Sequence, residues 1–311
     1  MDRKGIILSG GAGTRLYPLT RSISKQLLPV YDKPMIYYPL ATLMSAGVRD
    51  ILLITTREDQ PLYRRLLGSG ARLGVSFEYV VQDSPDGLAQ AFILGEEFLN
   101  GAPSAMILGD NIFHGDGLSQ NLAAADARQT GATVFAAWVK DPHRYGVIAF
   151  DEHGRPAQIV EKPAVPPSEY AITGLYFYDS QAPRLARQIH PSPRGELEIT
   201  DLNNLYLEMG ALFVETLGRS LAWLDAGTHE SLLESAEFVR VLEDRHSHVL
   251  GCIEEVAFRN GWISAEHLRE LAAEAPNSRY CQYLARIADG PTPVRPDGLN
   301  AATGPRLVAR N

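Results

Sequence analysis

The chain has 311 residues, is 45% hydrophobic and carries a formal net charge of −8. That length and apolar content support one large packed body, or a body with a smaller cap. The acidic balance argues against a general nucleic-acid binder, which shows a basic excess, so anionic ligands must be held by local cations or a metal and not by a global field.

The start, Met1-Asp2-Arg3-Lys4, leads directly into the apolar run Gly5-Ile6-Ile7-Leu8, which predicts a buried strand. Too little precedes it for a signal peptide, and no run reaches transmembrane length. Cys252 and Cys281 are the two cysteines and lack CxxC spacing, the pattern of free thiols in a reducing cytoplasm. A soluble, cytoplasmic protein without membrane or nucleic-acid partners is expected. The strand enters a turn with Gly10, Gly11 and Gly13, whose backbone N–H groups are free to approach an anion. Arg15 and Lys25 add positive charge to the same loop, which runs on through Pro18 to Pro29. A dinucleotide fingerprint would need glycine where Leu16 stands, and the Walker pattern would need Gly-Lys-Ser/Thr. On its glycines alone the loop is equally a mobile turn with solvent-facing cations.

Helices are predicted over Met35 to Ala46 and around Leu62 to Leu67, with a continuous apolar strand at Ile51 to Ile54 between them. An alternating strand, Val75 to Gln82, is followed by the turn Asp83-Ser84-Pro85-Asp86-Gly87, a helix through Phe98 and a buried strand at Ala105 to Leu108. Strands alternating with helices predict an α/β fold with a mostly parallel sheet, whose ligands sit beyond the carboxyl ends of the strands. Further strands are expected at Thr133 to Val139, Gly146 to Phe150, Ala157 to Glu161 and Ala171 to Tyr178. Helices are expected around Leu197 to Met209, Glu230 to Arg245, Ala265 to Ala275 and Tyr280 to Ala288. From 290 to 311 the chain mixes Pro, Gly, Ala and Arg without period, as a disordered tail does.

Asp110 directly follows a predicted buried strand, and Asp225, in Trp223-Leu224-Asp225, repeats that context. Mg²⁺ uses one or two protein carboxylates plus phosphates and water, so this pair would suffice; each alone is as readily a turn or cap aspartate. Lys162 ends another strand in Glu161-Lys162-Pro163, where a surface charge is the simpler reading of an isolated lysine. Gln82 can offer a donor and an acceptor to a base edge, and Gly87 permits close approach; a polar turn explains both equally well. No His, Cys or Ser arrangement for zinc or for covalent catalysis appears.

The full signature GGxGTRLxPxT…KQLLP resembles the sugar-1-phosphate nucleotidylyltransferases over about the first 290 residues. The segments KQLLPVYDKPMIYYPL and GELEITDLN are similar to members that use dTTP. The resemblance implies a Rossmann-like three-layer fold of the nucleotide-diphospho-sugar transferase type. A nucleotide-binding part (1–130), a sugar-binding part with appended strands (131–228) and C-terminal helices (229–289) would then form one domain. It implies Mg²⁺-dependent transfer of a thymidylyl group from dTTP to glucose 1-phosphate, releasing pyrophosphate. In that scheme Leu8, Gly10, Gly11, Gly13, Thr14, Arg15, Lys25, Gln26, Gln82, Pro85, Gly87, Leu88 and Asp110 meet the nucleotide. Tyr145, Gly146, Glu161, Lys162, Ile172, Glu196 and Trp223 meet the sugar phosphate, although a buried tryptophan is more often plain core. Asp110 and Asp225 hold the metal, and Arg15, Lys25, Asp110 and Lys162 carry the chemistry. The resemblance further implies a homotetramer inhibited by a downstream dTDP-sugar such as dTDP-rhamnose, at Gly115, Gly218, Arg219, Glu255 and Arg259; His114 stands where many members have tyrosine. UTP in place of dTTP, or a non-catalytic nucleotide-sugar sensor, are the alternatives. A sensor would be expected to lack one of these charged residues.

Phosphoryl chemistry also fits the missing general base, because a sugar phosphate is already mostly ionised at neutral pH. The obstacle is repulsion: like charges about 4 Å apart oppose each other by roughly 4 kcal/mol at an effective dielectric of about 20.

Overall fold

The structure is a computed structural model that describes residues 1–290 apart from 12 and 247. The tail expected from 290 onward lies outside the described residues, save for Gly290. In chain order the first part comprises β1 (Lys4–Ser9), the two-residue strands β2 (Pro29–Val30) and β3 (Lys33–Pro34), α1 (Tyr37–Ser45), β4 (Asp50–Thr55), α2 (Gln60–Leu67), β5 (Ser76–Val81), α3 (Gln90–Leu94) and α4 (Glu96–Leu99). Next come β6 (Ser104–Leu108), β7 (Asn111–Gly115), α5 (Leu118–Ala127), β8 (Ala132–Trp138), β9 (Gly146–Phe150), β10 (Pro156–Glu161) and β11 (Tyr170–Tyr178). The chain continues with α6 (Ala182–Ala186), α7 (Ile199–Glu208), β12 (Leu212–Thr216), β13 (Leu221–Asp225), α8 (His229–His246), α9 (Ile253–Arg259), α10 (Ala265–Ala272) and α11 (Arg279–Asp289).

The central sheet follows the order β10-β9-β11-β6-β1-β4-β5, with β8 on β11 and β12 on β8. Pairing is parallel among β6, β1, β4 and β5 and between β8 and β12, and antiparallel where β11 meets β6, β8 and β9. Alternate residues of the apolar strands enter separate cores on the two faces. Ile7, Ile51, Leu53 and Ile107 pack with α1 residues such as Leu40, whereas Ile6, Leu52, Ile54 and Met106 pack with Phe92 and Tyr206. Burial on both sides is why these strands read as continuous apolar runs.

Three local differences from the sequence expectation have physical causes. The helix from Met35 starts at Tyr37, because Met35 and Ile36 donate their N–H groups to Leu28 O (2.9 Å) and Gln26 O (2.9 Å). Those bonds tie the cationic loop to α1. The helix expected through Phe98 breaks at Gly95, which fits between Ala91 O and the side chains of Ile6 and Leu52. The helix expected to reach Ala275 ends at Ala272, with Ala273 closing it through bonds to Arg269 O and Glu270 O.

Candidate functional site

The parallel pairing of β1 with β6 fixes the site's floor. Leu8 lies opposite Leu108, so the glycine turn and the Gly109-Asp110 step leave the same sheet edge side by side. β1 has β4 on one side and β6 on the other, which makes this edge a switch point where a crevice opens. The loop expected as irregular chain folds into three short 3-10 turns, Thr14–Leu16, Leu19–Arg21 and Lys25–Leu27.

Asp110 and Asp225 come together through a pairing of β7 with β13 that places Asp225 opposite Asn111. Ala226 N–H also donates to Asp110 O (3.0 Å). Asp110 is buried and its carboxylate accepts from Lys25 Nζ. Burial pushes the Asp110 carboxyl up, but the Lys25 ammonium and the Asn111 amide outweigh it and hold it below the usual aspartate range. At Asp225 the balance is reversed: burial, then the neighbouring Asp110 charge, outweigh Lys25, Arg15 and Arg144 and push its carboxyl up to about 6. Two carboxylates that resist sharing negative charge are a hard-oxygen donor set suited to a divalent cation. Among the described residues no three His, Cys, Asp or Glu side chains form a self-contained metal site. Any ion here must complete its shell with ligand and water oxygens. Arg15 reaches the same corner, since a Cβ built on Gly227 would lie 2.8 Å from Arg15 Nη2 and 3.0 Å from Asp225 Oδ1.

These residues line a cavity of about 510 Å³ together with Leu8, Gly10, Gln26, Leu88, Tyr145, Gly146, Glu161, Lys162, Ile172, Glu196 and Trp223. The structure thus brings most of the expected nucleotide-side and sugar-side residues into one cleft. Gly11, Gly13, Thr14, Gln82, Pro85 and Gly87 are not on its wall. Gly13 and Thr14 start the first 3-10 turn, and Gln82, Pro85 and Gly87 belong to the loop behind Leu88. Gln82, expected to present both donor and acceptor, already donates its amide to Gln90 Oε1 (2.6 Å).

Gly87 serves the cleft differently from the close ligand approach expected of it. Its φ is 109°, and a Cβ there would lie 2.4 Å from the backbone N and O of Leu197. Leu197 N–H donates to Asp86 O (2.6 Å) and Leu197 O accepts from Ala89 N–H (3.1 Å). The loop after β5 is thereby clamped to the segment that carries Glu196 and Glu198, joining the two ends of the cleft. A Cβ striking rigid backbone has no side chain to displace. Gly87→Ala is therefore expected to lower kcat/KM for both substrates by about tenfold or more and to depress Tm by several degrees, read by steady-state kinetics and thermal melts.

At the far end Glu161 Oε2 accepts from Thr200 Oγ1 (2.6 Å), and Lys162 Nζ and Arg194 Nη2 each lie 3.3 Å from Glu161 Oε1. Lys162 has φ of 41°, an uncommon conformation for a residue with a Cβ, and its N–H donates to Tyr145 O (3.0 Å). The Tyr145 ring meets Trp223 edge-on at 5.0 Å.

The sequence reading gave no role to three residues here. Asn111 is a hub: its Oδ1 accepts from Trp223 Nε1 (2.6 Å) and Gly174 N–H (3.0 Å), while its Nδ2 donates to Asp110 Oδ1 (3.1 Å). Arg144 lines the cleft beside Tyr145, and Arg194 lines it while bridging Glu161, Glu196 and Glu198. Arg144 and Arg194 each immediately precede a segment already singled out, which was the available signal.

The residues expected to bind an inhibitor come from separate elements. Gly115, paired with Leu221, lies in the β7–β13 ladder, and Gly218 and Arg219 lie in the turn before β13. Glu255 pairs with Arg259 one turn along α9 (2.6 Å). A small cavity of about 170 Å³ includes Glu255, His114 and His248 but not Gly115, Gly218, Arg219 or Arg259. No helix among the described residues is long and apolar enough to cross a membrane.

A glycine turn, paired carboxylates and cations at one sheet edge suit a nucleotide-handling transferase, and the sequence comparisons agree. The family described as nucleotidyl transferase matches residues 4–241, and the chain belongs to it. Its relatives include the glucose-1-phosphate thymidylyltransferase of Xanthomonas campestris pv. campestris, 59% identical over 92% of this chain and 97% of that protein. The proteins of that name from Neisseria meningitidis and Mycobacterium tuberculosis are 58% and 53% identical, over 91% and 92% of this chain and 99% of each. Among solved structures, a Bacillus anthracis protein assigned as a glucose-1-phosphate thymidylyltransferase and solved with sucrose matches with TM-score 0.71 and 43% identity, over 76% of this chain and 95% of that one. A UDP-glucose pyrophosphorylase bound to UDP-glucose matches with TM-score 0.69 and 26% identity, over 79% of this chain and all of that one. The fold is the nucleotidyltransferase-type α/β fold, and the protein is a nucleotidyltransferase.

Proposed function

We propose that the enzyme transfers a thymidylyl group from dTTP to glucose 1-phosphate with Mg²⁺, giving dTDP-glucose and pyrophosphate. The observation that carries this reading is the single cleft with Asp110, Asp225, Arg15 and Lys25 at one end and Glu161 and Lys162 at the other. Such a cleft fits a triphosphate approached by a second anion. The names of relatives at 53–59% identity favour dTTP over the UTP implied by the more distant pyrophosphorylase.

In this reading Glu161 bonds sugar hydroxyls and Lys162, with Arg194 beside it, holds the phosphate of glucose 1-phosphate. One of its oxygens attacks the α-phosphorus in line; the bond between the α-phosphorus and the bridging oxygen breaks, and the electron pair leaves with pyrophosphate. Arg15 and Lys25 hold the triphosphate and receive the charge that develops on it, so catalysis is positioning and electrostatics. Asp110 and Asp225 would hold Mg²⁺, which supplies charge neutralisation to the phosphates. A homotetramer in the cytoplasm, serving dTDP-rhamnose or related dTDP-deoxysugar synthesis and inhibited by such a product through the Gly115, Gly218, Arg219, Glu255 and Arg259 surfaces, belongs to the same reading.

Pyrophosphate release with glucose 1-phosphate, measured across the four dNTPs and four NTPs, tests it. The expected result is dTTP first, with UTP lower by about 10–200-fold, the reach of discrimination by one methyl and one hydroxyl. UTP as the preferred substrate would overturn the thymidylyl assignment, and no turnover with any nucleotide would favour a sensor.

A further inference from the structure

Gln82, Gln90 and Asp86 form a one-way chain of hydrogen bonds behind the glycine turn. Gln82 Nε2 donates to Gln90 Oε1 (2.6 Å), Gln90 Nε2 donates to Asp86 Oδ2 (2.9 Å), and Ser84 Oγ donates to Asp86 Oδ1. An amide can be turned over at almost no cost in shape, so the partners alone decide which end faces where. Here the decision starts at Asp86, because a carboxylate only accepts. Gln90 must therefore give Asp86 its NH₂ and turn its oxygen toward Gln82. That oxygen takes the Gln82 NH₂, which leaves Gln82 Oε1 as the group facing the other way.

The free oxygen points at the cleft wall. A Cβ built on Gly10 would lie 2.2 Å from Gln82 Oε1, and Gly10 lines the cleft. Gln82 itself is only 7% exposed, and its own N–H is anchored to Thr55 O (2.8 Å). The clamp between Asp86, Ala89 and Leu197 holds the end of the chain in place.

We infer that Asp86 and Gln90 are positioning residues for base selection: they fix the Gln82 side chain with its carbonyl oxygen toward the nucleobase, so that the site takes a pyrimidine offering an imide N–H and rejects one offering a bare ring nitrogen. Thymine and uracil carry N3–H; cytosine has an acceptor at N3, which would face the Gln82 oxygen with no proton between them. A hydrogen-bonding site rejects such a mismatch more strongly than a shape-only site does. The inference rests on the proposed function, since it assumes that the base lies beside Gly10.

The test is the ratio of kcat/KM for dTTP to that for dCTP, which a uniform loss of folded protein does not change. Gln90→Leu frees the Gln82 amide to turn over, and the ratio is expected to fall about tenfold or more. The double variant Asp86→Asn with Gln90→Glu restores the sense of the chain, because a carboxylate at 90 accepts from Gln82 and from the amide at 86. Its ratio is expected to return to within about threefold of the wild type. Gln82→Leu serves as the reference. If it collapses the ratio while Gln90→Leu leaves it unchanged, or if the double variant is no better than Gln90→Leu, the relay is overturned. If Gln82→Leu also leaves the ratio unchanged, the base does not lie there and the placement of the nucleotide fails instead.

Discussion

Asp225→Asn is expected to lower kcat by about 10³ while leaving the metal-free protein more stable. The two effects have one cause. The Asp225 carboxyl is pushed up from 3.8 to about 6 by burial and then by Asp110, so its negative charge costs free energy in the folded protein unless a cation compensates it. The unfolded chain releases the proton near 3.8 and the folded chain near 6. Over that interval the folded state holds more protons, and its stability falls as pH rises; above it the cost, on the order of 1–3 kcal/mol, is fully present. Asparagine keeps the shape and removes the charge. Without metal the variant should melt a few degrees above wild type at pH 7 and coincide with it below about pH 3, where both side chains are neutral in both states. Calorimetry in EDTA at the two pH values and turnover with Mg²⁺ provide the comparison. Full activity in the variant would remove Asp225 from the machinery, and a lower Tm at pH 7 would contradict the charge argument.

Lys162→Ala is expected to cut kcat/KM by about 10²–10³ at unchanged fold, the usual cost of losing one charge-stabilising donor. The Lys162 side chain is 46% exposed, so truncation opens no cavity. Alanine keeps a Cβ at the left-handed φ of 41°, so backbone strain is the same in both proteins. Lys162→Gly makes the complementary control: it relieves that strain and should gain about 1 kcal/mol while remaining as inactive as the alanine variant. An active glycine variant would mean that the backbone conformation, and not the ammonium, is what the site requires. Turnover of Lys162→Ala equal to wild type, with an unchanged melting curve, would exclude the lysine from holding the nucleophile.

The parts of the site legible in the sequence were those written in contiguous residues. The apolar runs at Ile6–Leu8, Ile51–Ile54 and Ala105–Leu108 are strands buried on both faces, and the glycine turn and Asp110 follow two of them directly. Parallel-sheet rules then placed both at one edge. The pairing of β7 with β13 was not legible: each strand has five residues, and they meet only because the chain returns after forming most of the sheet. The convergence of Asp110 and Asp225 depends on that non-local ladder, and in the sequence it rested on family likeness alone. The same holds for Asn111. Nothing local predicts that one asparagine accepts from an indole and a backbone N–H while orienting the neighbouring carboxylate. The glutamine relay was hidden for a related reason. Composition shows which groups are able to donate or accept, and only their partners show which one remains for a ligand.

The central claim is that two carboxylates from different strands grip one divalent ion together with the nucleotide, so that two anions meet in a single cleft. A crystal of the enzyme with Mg²⁺, glucose 1-phosphate and a dTTP analogue that cannot be cleaved between the α- and β-phosphorus measures this directly. Mg²⁺ is expected within about 2.1 Å of an oxygen of each of Asp110 and Asp225 and of an α-phosphate oxygen, with Lys162 on the sugar phosphate. An ion bound by phosphates alone, or triphosphate density lying away from the Gly10 turn, would contradict it.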